Sequence, residues 1–210
     1  MIELQGVTKR YGDFRAVDDV SFSVGAGESL ALWGSTGAGQ TTILRCLLGA
    51  TEYEGTITVD GVSPAKNGKE ARRRIGYVPQ VVPVFDLRVG EMIQLTARLR
   101  RADLGQGLER LEEFGLADTI KKPVASLSGG MKQKLALTLA LLGDPPILLL
   151  NDPTRGVDVG TKHELYVLIR DFAERGGADE IREARRIKDE YVARKKAEEE
   201  ADKAQEELWK

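Results

Sequence analysis

The stretch "GSTGAGQTT", Gly34 to Thr42, constrains this chain more than any other. It follows "ESLALW", a run with strand composition, and precedes "TTILRCLLG", in which Ile43, Leu44, Leu47 and Leu48 recur at the spacing of one helix face before Gly49 ends it. A strand, a glycine turn and a helix are therefore predicted in succession. That junction presents backbone N–H groups at a helix N-terminus, where the amides and the helix dipole favour phosphate. The spacing fits G-x-x-x-x-G-K-[ST] at Gly34, Gly39 and Thr41, while Gln40 stands where the pattern has lysine. Ser35, Thr36, Gly37, Ala38 and Thr42 complete the cradle, whose amides do not depend on the side chain at position 40.

Further strands are predicted at "IELQGV", "VSFSV", "GTITVDG" and "RRIGYVPQ", each rich in β-formers and bounded by turn residues. From about 83 to 142 helical spacing dominates, in "GEMIQLTARLR", "GLERLEEFGL" and "GGMKQKLALTLALLGD". "ILLLND", Ile147 to Asp152, reads as a strand buried on both faces, as in a parallel sheet. Helix resumes from about Gly160 to Glu174. The fold class is thus α/β.

A chain of 210 residues with 41% hydrophobic content supports one packed domain with room for a small appendage. The net charge of −2 arises within 178–210, so 1–177 is neutral and offers no basic surface for nucleic acid. After Gly177 there is no Gly or Pro, and Ala, Glu, Lys and Arg predominate without a heptad seam. This tail is read as a solvated, appended helix. Cys46 is the only cysteine, which excludes an intrachain disulfide, fits a reducing compartment and leaves a small apolar core role. The N-terminus has neither a signal-peptide nor a transit-peptide pattern. No run approaches the ~18 apolar residues of a membrane span.

Four further features follow the glycine loop in order: Gln80 at a strand end, "SLSGGMKQKLAL" at 126–137, "ILLLND", and "RGVD" at 155–158. With the loop, they resemble the nucleotide-binding subunit of ATP-binding-cassette (ABC) transporters over roughly residues 1–176. The resemblance implies a P-loop core with a parallel sheet, an antiparallel β subdomain from the N-terminal strands, and a helical subdomain over 83–142. It also implies two subunits enclosing two Mg-ATP molecules, as a homodimer or with a paired ATP-binding subunit. Membrane permease subunits would hold such a cytoplasmic protein at the membrane.

Carried over residue by residue, the resemblance places Tyr11 against adenine and Gly34–Thr42 around the phosphates. Thr41, Gln80 and Asn151 fall on the Mg²⁺ side. Ser128, Gly129 and Gly130 would contact ATP on the opposite subunit, and Asp158 belongs to the dimer-interface loop. The plainer readings are a half-buried strand aromatic for Tyr11 and an ordinary strand-end amide for Gln80.

Three departures from the family pattern count against hydrolysis. Gln40 replaces a charge-assisted hydrogen bond worth about 1.5–3 kcal/mol with a neutral one worth about 0.5–1.5, a difference of about tenfold in affinity. Asn151 and Asp152 stand where the family has aspartate and then glutamate, leaving Asp152 as a weakened general base one methylene short. In the alternative register Asp152 is itself the metal-side carboxylate, and Pro153 then occupies the base position. The family histidine that follows a later strand is missing, because His163 lies only five residues past Asp158 and is read as a surface helix residue. The sheet is also expected to lack its later strands, exposing an edge. The readings are a transport ATPase subunit with severely impaired hydrolysis, a catalytically inactive regulatory or structural relative, and a soluble non-transport ABC ATPase.

Overall fold

The computed structural model describes residues 1–35, 37–83, 85–154 and 157–175. β1 (Ile2–Tyr11) and β2 (Phe14–Val24) form an antiparallel hairpin, and β3 (Glu54–Val59) pairs antiparallel with the other edge of β1. Between β2 and β3, α1 (Gln40–Leu47) turns Ile43, Leu44, Cys46 and Leu47 into a core shared with Leu4, Ile57 and Val59. Its predicted apolar stripe is therefore the buried face. Cys46 is fully enclosed there, and burial pushes its thiol up from its ordinary pKa.

A short helix, α2 (Gly68–Arg73), leads into β4 (Ile75–Val78), which runs parallel to β5 (Ile147–Leu150) with Ile75 opposite Ile147 and Val78 opposite Leu150. Between these strands in sequence come α3 (Val89–Arg100), α4 (Leu104–Glu113) and α5 (Gly129–Leu141). Their apolar faces enclose a separate core containing Val89, Ile93, Leu111, Leu116, Val124 and Leu135. The helical segment expected over 83–142 is thus a packed unit with its own interior. α6 (Val159–Arg175) follows β5 and packs Leu165 beside Val78 and Leu137.

Arg100 ties this helical unit to the parallel strands. Its Nε donates to the Leu142 carbonyl at 2.7 Å, and both terminal nitrogens donate to the Ile75 carbonyl at 3.1 Å. Burial lowers its pKa from the ordinary arginine value, because the charged form gives up water. The carbonyls that it satisfies lie at the start of β4 and just past the end of α5.

One expectation fails. "ESLALW" forms no strand, and its Leu30 and Trp33 are 50% and 88% exposed. Among the described residues β5 pairs only with β4, and the 29–32 segment lines a crevice of about 1390 Å³ together with β5. Strand composition is local, whereas a ladder requires an edge within about 5 Å. The edge expected from the loss of later strands concerns chain beyond the described residues. The tail at 178–210 lies outside them, and no helix among them is long and apolar enough to cross a membrane.

Replacing Arg100 with Met keeps the aliphatic stem and removes the donors. Urea unfolding of Arg100→Met should show a loss of about 1.5–3 kcal/mol, the range for hydrogen bonds from a charged group. An unchanged midpoint would mean that the three contacts contribute nothing net.

Candidate functional site

The glycine loop begins beside "ESLALW" and ends at the first turn of α1. Gly39 is the N-cap residue, at φ 89°. A Cβ there would fall well inside van der Waals contact of the Ala16 carbonyl oxygen, so backbone conformation and close approach both demand glycine. No side chain caps α1, and no acidic residue occupies its first turn. Its leading amides are therefore available to an anion. The loop is braced by the Ala38 amide donating to the Ser35 carbonyl at 3.0 Å, and Thr41 is exposed at its rim.

Gln40 folds back over the loop. Its Nε2 lies 2.9 Å from where a Gly34 Cβ would stand, as does the Ala38 Cβ. Gly34 is required by this packing, and a neutral amide occupies the loop mouth. Thr36 lies outside the described residues.

The parallel register brings the remaining polar groups to the same place. Gln80 lies two residues past β4, and Asn151 and Asp152 follow β5 directly. The Asn151 amide donates to the Val78 carbonyl at 3.0 Å, extending the pairing one residue beyond the strand. Gln80, Asn151 and Asp152 line one crevice with Gly34, Gln40 and Thr41. The Asn151 side-chain Nδ2 donates to the Tyr77 hydroxyl oxygen at 3.5 Å, which leaves its amide oxygen turned away from Tyr77. Asp152 is exposed and left-handed at φ 47°. Aspartate tolerates that conformation better than most residues, but Pro153 after it disfavours it.

These groups form an oxygen-bearing set with little charge. Among the described residues no group of three or more His, Cys, Asp or Glu side chains could hold a metal. Mg²⁺ prefers oxygen ligands and is usually held by one or two carboxylates plus substrate phosphates. The residues fit that mode with the phosphates carrying most of the negative charge.

Other predicted residues lie outside this cluster. Tyr11, at the end of β1, is 46% exposed and has the Lys9 ammonium 4.8 Å over its ring. Ser128 caps α5, its hydroxyl oxygen accepting from the Met131 amide at 3.2 Å. Gly130 is buried, and a Cβ on it would strike the Thr161 side chain. Thr161 in turn holds Asp158, its amide donating to Oδ1 at 3.0 Å and its hydroxyl to Oδ2 at 2.7 Å. Asp158 thus caps α6, while Arg155 and Gly156 before it lie outside the described residues. His163 is exposed on α6, as expected.

Thr161, Tyr77 and Gln133 were not foreseen. Gln133 left a signal, since it is a polar residue on the face of α5 that carries Gly130, Leu137 and Ala140 into the core. Tyr77 and Thr161 act through contacts that no local pattern announces.

A glycine loop at an uncapped helix start, two parallel strand ends delivering amides and a carboxylate beside it, and a separate helical unit define a P-loop nucleotide-binding domain. Comparisons with known proteins agree. The ABC transporter family profile matches residues 17–155. The Nod factor export ATP-binding protein I of Rhizobium meliloti is 39% identical over 181 residues, covering 83% of this chain and 54% of that protein. The chain therefore spans about half the length of this curated relative. A solved ATP-binding subunit of an ABC transporter superposes with a TM-score of 0.76 at 28% identity, over 83% of this chain and 75% of that one. A dimeric ATP-binding cassette in a post-hydrolysis state, bound to ADP and phosphate, gives 0.75 at 25% identity, over 85% of each. The chain belongs to the ABC transporter family, as an ATP-binding domain.

Two outcomes test the local geometry. Gly39→Ala should cost at least about 1–2 kcal/mol in urea unfolding, from the left-handed backbone alone; a neutral result would refute the described loop. The Asp158 carboxyl is held below its ordinary pKa, first by the Thr161 amide and then by the Thr161 hydroxyl. A depressed folded pKa means that this cap contributes fully above the ordinary carboxylate value and is lost as pH falls through the lower folded value. In a ¹³C NMR titration, Thr161→Val should move the Asp158 midpoint upward, and an unmoved midpoint would remove the hydroxyl from the account.

Proposed function

We propose that this domain binds Mg-ATP, pairs with a second ATP-binding subunit and couples to a membrane permease from the cytoplasmic side, while cleaving ATP poorly. The observation that carries the proposal is the single crevice lined by Gly34, Gln40, Thr41, Gln80, Asn151 and Asp152. In it the α1 amides would receive the β- and γ-phosphates, and the Thr41 hydroxyl would reach the metal beside the amide oxygens of Gln80 and Asn151. Mg²⁺, when bound, neutralises phosphate charge. Tyr11 would stack on adenine, its ring already carrying Lys9 on one face.

The same residues limit the chemistry. Gln40 places a neutral amide where charge would stabilise the transferring phosphoryl group. Asn151 holds its position through Tyr77 yet brings no charge to the metal. Asp152, which follows Asn151 at the end of β5, is the carboxylate placed beside the loop to take a proton from attacking water. It is short, and a displacement of about 1 Å in such a group costs on the order of 10²-fold in rate. The lack of charge at positions 40 and 151 also favours a second reading, in which nucleotide is bound for regulatory or structural ends without turnover.

Ser128, Gly129 and Gly130 would serve the partner's nucleotide. The Ser128 hydroxyl oxygen accepts from the Met131 amide and keeps its O–H to donate, beside the amides at the start of α5. Asp158, held by Thr161 against Gly130, would set the interface loop at the same end. Export is the direction to test first, because the curated relative is named for it.

Calorimetric titration with Mg-ATP should show saturable binding, and Gln40→Lys should tighten it by about tenfold. Neither heat nor a thermal shift at millimolar nucleotide would overturn the binding proposal.

A further inference from the structure

Gln133 is only 4% exposed on α5, a helix otherwise buried through Leu135, Ala136 and Leu137. Its Nε2 donates to the main-chain carbonyl of Gln80 at 3.3 Å, across 53 positions of sequence. The orientation of the amide is dictated by chemistry, since a carbonyl oxygen only accepts. Its Oε1 is buried and accepts nothing. Packing alone does not account for this side chain, because a methionine of similar size would fill the same space without burying an unsatisfied acceptor.

The carbonyl that Gln133 holds belongs to Gln80. This residue begins the irregular stretch that leaves β4 after Pro79, and it lines the crevice with Thr41 and Asn151. Gln133 stands five positions past Ser128 on the helix whose N-terminus carries Gly129 and Gly130. One side chain thus bridges the metal side of the crevice and the helix that begins with the signature glycines.

We propose that Gln133 is a positioning residue that fixes Gln80 by its main-chain carbonyl and so holds the Gln80 side chain at the metal side of the crevice. This rests on the reading that the crevice takes Mg-ATP. The nucleotide-free anchor is testable without that reading.

The test compares the full chain with Gln133→Met, or with Gln133→Ala if the methionine variant does not fold, as judged by circular dichroism and thermal midpoint. Without nucleotide, exchange of the Gln80, Val81 and Val82 amides should quicken by about fivefold or more on loss of one hydrogen bond. Unchanged exchange overturns the anchor. With nucleotide, the gain in ATP affinity on adding Mg²⁺ should shrink by about fivefold in the variant, while Mg-free affinity stays within about twofold. Gln80→Ala should cause the same loss, and combining the two should add nothing further. Equal weakening with and without Mg²⁺ would show that Gln133 only packs, and would overturn the positioning role. Absence of nucleotide binding by the wild-type chain would overturn the functional reading together with the metal-side half of this proposal. The exchange comparison would then still decide the anchor.

Discussion

The parallel pairing of β4 with β5 decides where chemistry can occur in this molecule. Four consecutive residues on each strand are matched, from Ile75 opposite Ile147 to Val78 opposite Leu150. The strands therefore end together, and the chain leaves each of them beside the same opening. Gln80 and Asn151 reach one crevice because of that register. A slip of one residue would turn Leu149 out of its core and carry Asn151 to the opposite face. Arg100 guards the arrangement from outside the sheet by satisfying carbonyls at the start of β4 and after α5.

Around that pair the molecule divides its labour. α1 packs on one side with the antiparallel strands and presents its open amides to the crevice. α5 and α6 pack on the other side. Because Gly130 touches Thr161 and Thr161 holds Asp158, the start of α5 and the cap of α6 form one contiguous surface. The glycine loop at the crevice and the residues proposed for a partner's nucleotide are thus carried on opposite flanks of a single short ladder.

Much of this was legible in the sequence, for identifiable reasons. The apolar stripe of α1, the four apolar residues before Asn151, and the helical spacing of "GGMKQKLALTLALLGD" are local signals that tertiary packing did not override. "ESLALW" misled because it has strand composition yet does not pair with the edge of β5 that it lies beside. Gln133 was marked by its place on a buried helix face, but its partner was not, and Arg100 was opaque outright, since the partners lie 53 and 42 positions away. Asp152 was read as a carboxylate, but its left-handed backbone before Pro153 reflects the tight exit from β5, which side-chain type alone does not disclose. The identity of the site was thus carried by motif order. The quality of its chemistry is carried by the few side chains that depart from the pattern.

The central claim is that a phosphate cradle persists where the charges that cleave ATP do not. A single-turnover experiment tests it most directly, with protein in excess over γ-labelled ATP and Mg²⁺, and with bound and cleaved nucleotide followed in the same sample. The account predicts that label is retained by the protein and dissociates as intact ATP, with labelled phosphate accumulating at least about 10²-fold more slowly than the 1–10² s⁻¹ of efficient phosphoryl-transfer enzymes. Phosphate release within that range from protein shown to be pure would contradict it, and would mean that Gln40, Asn151 and Asp152 suffice for the chemistry.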